Sequence, residues 1–430
     1  MTYLFKKNAI KKAQLKFKEK IWLAFLGLPF SFFGSAYVLK FGGNFYPEIF
    51  ILAWLGLSFL FFNSRFVEIN GFAKKRSFYL LLILFLMLSM LGLFRDDADV
   101  LEYYARLRAF LLFVVAAYIG YYAQKSDKYD LYLELLLWLC LGVILFNFFH
   151  MILVSYVQAY SVSSSIKITF SILAYAIVID ILSKKGDNFF AFVLVLFLIV
   201  SSSLSFFRQF YFVSFLITLY FIVVVLMTDR NTKRKKIFIS AIGLVLILLM
   251  ASMSGLVWGG LIEFLSSSEG RYIHSIGKLN DLLSLFEGGE VSESEGNRLM
   301  GFQYLFTHFA AYALPNGLVN DKFFIMYSTW GGEGFKIDGV SIIRDSMFAY
   351  FVVLFGFYFL LLFILFGLYL TFMSLVNSSI VENSSVLLFF MLFWLLFFID
   401  GTLVTQFEKA LFTGAVVSFA FPFSGYRRLG

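Results

Sequence analysis

Proline is nearly missing, with four in 430 residues. Cysteine occurs once and histidine three times. Charged residues make up 14% of the chain, against about a quarter in a soluble domain. The one cysteine, Cys140, falls inside an apolar run, which excludes a disulfide framework and a thiolate metal cluster. No phosphate-binding glycine loop, dinucleotide fingerprint or zinc spacing occurs. No nucleotide cofactor and no nucleic-acid partner are therefore expected.

Apolar residues are abundant: 61% of the chain is hydrophobic and the mean hydropathy is +0.86. That composition requires an integral membrane protein. The N-terminus, "MTYLFKKNAIKKAQLKFKEK", is basic, lacks an apolar core and leads straight into a long span, so no cleavable signal is expected. The excess of Phe, and of Lys over Arg, reflects genome base composition and carries no functional weight.

A membrane-crossing helix needs about 20 mostly apolar residues. Twelve such segments are expected, near 21–39, 46–63, 77–94, 109–124, 130–156, 166–183, 188–204, 206–227, 236–258, 346–376, 384–400 and 408–425. The fold class is thus an all-α polytopic membrane protein. With both termini cytoplasmic, the inner segments hold 22 of the 35 Lys and Arg, and the outer loops hold 13, six of them in one long loop. This asymmetry fixes the orientation. The basic inner segments need no role beyond topology and contact with anionic membrane lipids.

Three regions follow: 1–258 with nine spans, an outer loop at 259–345, and 346–430 with three spans. In the loop, "GKLNDLLSLFEG" has an amphipathic helical pattern. "SESEGNRLMGFQYLFTHFAAYALPNG" predicts a second helix, with Ser292 and Glu295 as a capping box and Pro315 and Gly317 as its stop. Arg298, Phe302, Leu305, Phe309 and Tyr312 form one stripe on it. "IDGVSIIRDSMFAYF" then re-enters the membrane with Arg344 and Asp345 at its mouth.

Arg208, within "SSSLSFFRQFYF", is the charge that stands out. A charge at the centre of a span costs about 2.5–3.5 kcal/mol on insertion scales, and less near an interface. Arg208 is expected just below the outer surface. One reading is a side chain that snorkels to the headgroups. The other is an anion site, with Ser201, Ser202, Ser203 and Ser205 as extra donors and the start of a helix adding positive potential. A planar, permanently charged fork suits a phosphate or diphosphate. Arg298 lies on the same expected side. Asp97 and Asp99 could bind a divalent metal, but Arg95, Arg106 and Arg108 nearby favour a solvated charge cluster. His308 could serve as a base, although a histidine among aromatics is more often packed. His150 and His274 have less support.

Two segments resemble a known family. "LSFFRQFYFVSFL" resembles the arginine-bearing membrane segment of the O-antigen ligase and polymerase superfamily, with Arg208 at its arginine. "GNRLMGFQYLFTHFAAYALPNGLV" followed by "RDSMFAYFVVLFG" resembles its loop pattern: an arginine, an aromatic helix, a Pro–Gly stop, a polar pair and an aromatic stretch ending in glycine. Arg298 falls on the loop arginine and Gly317 on the glycine of the stop. Asp345-Ser346 stands where ligases carry a His-Asn pair, which favours an O-antigen polymerase.

The resemblance implies a GT-C-like membrane glycosyltransferase of the bacterial inner membrane, with no cofactor and no metal. Its substrate would be an undecaprenyl-diphosphate-linked oligosaccharide, used at the periplasmic face, with a chain-length regulator as a further partner. Arg208, Arg298 and Arg344 would hold the diphosphate, and Asp345, or failing it His308, would act as the base. A ligase moving glycan to lipid A core is an alternative. So is a flippase, although no matching halves of the kind transporters show are visible.

Overall fold

The computed structural model describes residues 15–31, 86–94, 110–117, 129–157, 168–205, 208–228, 241–245, 305–307, 309–318, 347–377, 380–399 and 413–414, with isolated positions at 83, 100, 103, 107, 120 and 237. Most of these residues are helical and none of them lies in a strand. Two stretches, Asp130–His150 and Met347–Tyr369, are long and apolar enough to cross a membrane.

Helix α1 is Phe17–Leu26. The Glu19 carboxylate accepts the Lys16 N–H at 2.6 Å, satisfying one of the donors a helix start leaves open. The helix ends at Leu26 with Gly27 as its cap, and Pro29 follows in a turn. The continuous span expected over 21–39 is therefore broken near its start, because proline supplies no N–H to carry a helix on.

Helix α2 is Tyr129–Val157, and α1 crosses it at two glycines. A Cβ on Gly142 would run into the backbone of Ala24, and one on Gly27 would lie 2.6 Å from the Val143 nitrogen. Small residues at a helix crossing let the two backbones approach this closely. Lys20 completes the contact, 3.3 Å from the Glu134 carboxylate and over the Trp138 ring.

Next come α3 (Ile168–Lys185), α4 (Asn188–Ser205) and α5 (Arg208–Thr228). Later in the chain come α6 (Met347–Asn377) and α7 (Ile380–Ile399). Sequential helices pack in pairs from α1 to α5, and α7 returns to cover α3, α5 and α6. Residues 172–183 of α3 are buried without interruption, so every face of the helix is covered. That marks α3 as the centre of the bundle.

The α3–α4 turn is tight. The Gly186 N–H reaches Ser183 O at 3.2 Å and the Asp187 N–H reaches Leu182 O at 3.0 Å. This pair of bonds closes a helix on a left-handed residue, and Gly186 has φ +84°.

Helix α6 is not continuous: Gly356 has φ 79° and ψ 162°. Residues 347–357, up to and just past the break, are buried. After it, Tyr358, Leu361, Leu362, Leu365, Tyr369 and Phe372 face outward. On the covered side, Phe351, Phe359 and Phe363 stack along α6, and Phe363 meets Trp394 and Phe397 of α7.

Candidate functional site

The break at Gly356 frees backbone carbonyls inside a helix that is otherwise apolar. An open carbonyl among apolar side chains is costly, so irregular backbone there must be satisfied by other groups. The segment 313–318 supplies the partners. Asn316 N–H and Gly317 N–H both donate to Leu354 O at 2.9 Å, and the Asn316 side-chain amide donates to Val353 O at 3.0 Å. In return, Tyr358 N–H donates to Ala313 O at 3.3 Å.

The same segment is held from its other side. Leu318 N–H donates to Ser89 O at 3.1 Å, just before a 3-10 turn at Leu91–Phe94. Gly317 sits against the backbone of Leu91 and Gly92 with φ +82°. Gly92 is in turn pressed on Leu318 O. The Ser89 hydroxyl lies 3.1 Å from Tyr103 OH. Three backbones thus meet with no room for a Cβ at Gly92, Gly317 or Gly356. We call this the loop junction.

The expected stop at Pro315 and Gly317 is therefore present, but the expected stripe is altered. Leu305 and Tyr312 are fully buried, whereas Phe309 is 41% exposed and stacks on Phe357 at 4.9 Å between centroids. Phe309–Tyr312 is a 3-10 turn.

A second polar cluster lies inside the bundle. The Asp180 side chain, 1% exposed on α3, accepts from three groups. Lys184 Nζ donates to Oδ2 at 2.9 Å. Ser385 Oγ of α7 donates to Oδ1 at 2.5 Å, and Tyr220 OH of α5 donates to the same oxygen. Tyr220 OH and Ser385 Oγ are themselves 2.9 Å apart. A buried carboxylate is tolerated when it is paired and fully hydrogen-bonded, as here.

Of the residues singled out from the sequence, Arg208 opens α5. Its side chain lies outside the described part, as do Arg298, His308, Arg344, Asp345, Asp97 and Asp99. Ser201 and Ser202 are buried in α4 and bonded within the bundle, Ser201 to Tyr175 OH at 3.1 Å and Ser202 to Ile199 O at 2.8 Å. They lie inside the packing rather than on a surface offered to an anion. His150 is buried on α2.

Sequence reasoning missed the Asp180 cluster. The signal was present, a lone acid in the apolar run "AYAIVIDILSKK" with Lys184 four residues on. The hydroxyl partners come from positions 40 and 205 residues away, which no local pattern reveals.

Comparison of the chain with protein families, with curated proteins and with solved structures finds no match.

Proposed function

We propose that this chain is a polytopic inner-membrane glycosyltransferase of the O-antigen polymerase kind. It extends a surface polysaccharide at the periplasmic face. A glycan on undecaprenyl diphosphate is transferred to the non-reducing sugar of a new lipid-linked repeat unit.

The observation that supports this reading best is the loop junction. The resemblance to the polymerases rests partly on two loop-region segments, the Pro–Gly stop and the aromatic stretch ending in glycine. Gly317 ends the first and Gly356 the second, and they belong to one hydrogen-bonded assembly. Under the twelve-span orientation, Ser89, Gly317 and Leu354 all fall at the periplasmic end. Asp180, Lys184 and Ser385 all fall at the cytoplasmic end. The junction would hold the aromatic loop helix beside the mouth of α6, just where Arg344 and Asp345 precede Met347.

The chemistry follows from charge. The anomeric C–O bond to the diphosphate breaks, and the new bond forms to the acceptor hydroxyl oxygen. Arg208, Arg298 and Arg344 stabilise the negative charge that the leaving diphosphate gains, which fixed cations do well in a poorly solvated site. Asp345 takes the acceptor proton, with His308 as the alternative base. The bond energy resides in the diphosphate linkage, so no nucleotide is consumed.

The test compares surface polysaccharide in a strain lacking the gene, complemented with the intact protein or with Arg208→Ala at matched membrane levels. A polymerase predicts lipid A core bearing a single repeat in the deletion strain, with the long ladder restored by the intact protein and not by Arg208→Ala. Long lipid-linked polymer that never reaches the core would identify a ligase instead. Loss of all repeats from the outer surface would identify a flippase. Full ladder restoration by Arg208→Ala would remove Arg208 from the site.

A further inference from the structure

We infer that Asp180, Tyr220 and Ser385 form a positioning node that sets the height of α5, and with it Arg208, against the helices that follow the long loop. The inference rests on the diphosphate role proposed for Arg208 and adds the residues that would hold it in place.

The node joins three helices at one carboxylate oxygen. Two of them, α3 and α5, precede the loop, and the third, α7, follows it. Helix α7 also packs on α6, whose Leu354 belongs to the loop junction. The node therefore ties the arginine-bearing helix to the part of the chain that enters after the loop.

Apolar packing alone does not fix an axial position well. The buried face of α5 near the node carries Val213, Ile217, Phe221 and Val224, groups that could repack after a slip along the axis, together with the small hydroxyls of Ser214 and Thr218, the latter bonded within the helix to Ser214 O. The hydrogen bond from Tyr220 to a single Asp180 oxygen has no equivalent partner one residue or one turn away. Replacing a buried polar group by well-packed apolar side chains is often neutral or stabilising. The node's particular contribution is thus register, as a buried polar residue sets register in a coiled coil. Arg208 lies twelve positions before Tyr220 on the same helix, about 18 Å along the axis at 1.5 Å per residue. A helix transmits axial displacement along its length, so a slip at Tyr220 appears undiminished at Arg208.

The experiment uses the full chain in nanodiscs, with Cys140→Ala as background because Cys140 is the only cysteine. Nitroxides are placed through Gln209→Cys and Leu361→Cys, and the inter-label distance is measured by pulsed electron resonance. Tyr220→Phe and Ser385→Ala are each expected to shift or broaden the distance by at least ~1.5 Å, the rise of one residue. Ser385→Thr keeps the hydroxyl and is expected to restore it.

In unlabelled protein, both disruptive variants are expected to lower the turnover of lipid-linked repeat by ~10- to 100-fold, the order that a 1 Å misplacement costs. The KM should stay near the parent value and the thermal midpoint should fall by much less than for Asp180→Ala, which a merely structural role would not produce. An unchanged distance in folded Tyr220→Phe and Ser385→Ala overturns the inference. Failure of both variants to fold would make the node a stability element and would also overturn it. A distance change in a protein whose parent form makes no polymer would leave the node setting the height of α5 and sink the polymerase reading alone.

Discussion

Replacing Gly356 by alanine should damage the protein much more than the same change at Gly186, although both residues have positive φ. At Gly186 an added Cβ meets nothing within 4 Å. Its cost is then only that of a left-handed backbone for a residue with a side chain, about 1–2 kcal/mol. At Gly356 the conformation, φ 79° with ψ 162°, belongs to a region that is essentially glycine-only, and leaving glycine there costs about 1–3 kcal/mol. The Cβ would also lie 2.7 Å from Ala313 O and from Leu314 C, both backbone atoms. Relief requires segment 313–318 to move off α6. That loosens the bonds to Leu354 O and Val353 O, each worth about 0.5–1.5 kcal/mol. With three such bonds, the contributions for Gly356→Ala sum to about 2.5–7.5 kcal/mol. Thermal unfolding of the detergent-solubilised protein, followed by fluorescence-detected size exclusion at one scan rate, compares the two variants. Equal shifts in midpoint would refute the reasoning, because they would mean that the loop segment yields freely at Gly356.

Gly142→Ala should separate α1 from α2 at a cost of about 1–3 kcal/mol, the usual range for overpacking. Cysteines placed at Phe25 and Phe146, whose rings lie 6.0 Å apart, should then form a disulfide less readily under mild oxidation. Asp180→Ala should cost about 3–5 kcal/mol, since removing one partner of a buried polar pair strands the others. Asp180→Asn, which keeps an acceptor for Tyr220 and Ser385, should lose less in the same unfolding assay.

Several helix boundaries were legible because charge and glycine bracket the apolar runs. "SKKGDN" sets both the end of α3 and the start of α4, and the segments expected at 166–183 and 188–204 differ from the helices by two residues or fewer. The start of α7 at Ile380 was missed by four residues, because Glu382, Asn383 and Ser384 read as loop yet continue the helix. The end of α1 was misread, although Gly27 and Pro29 in "FLGLPF" gave the signal. The loop junction was half legible. Gly317 could be read as a stop. That the stop closes on Gly356 could not, because the pairing of Leu354 O with Asn316 spans dozens of residues and depends on the left-handed backbone. The Asp180 cluster was invisible for the same reason: its geometry is made by helix packing, not by spacing along the chain.

The broken backbone of α6 also bears on how such a chain could be made. A plain apolar helix satisfies its own carbonyls and can leave the insertion machinery as soon as it is synthesised. Helix α6 cannot, because Val353 and Leu354 need donors from Asn316 and Gly317. Those donors are synthesised first and, in the twelve-span arrangement, must already have crossed to the far side when α6 emerges. The segment 313–318 would then act as a template waiting for its helix. Biogenesis of the last part of the protein would depend on prior export of the loop, so a block in loop translocation would leave α6 stranded in the machinery rather than merely misoriented.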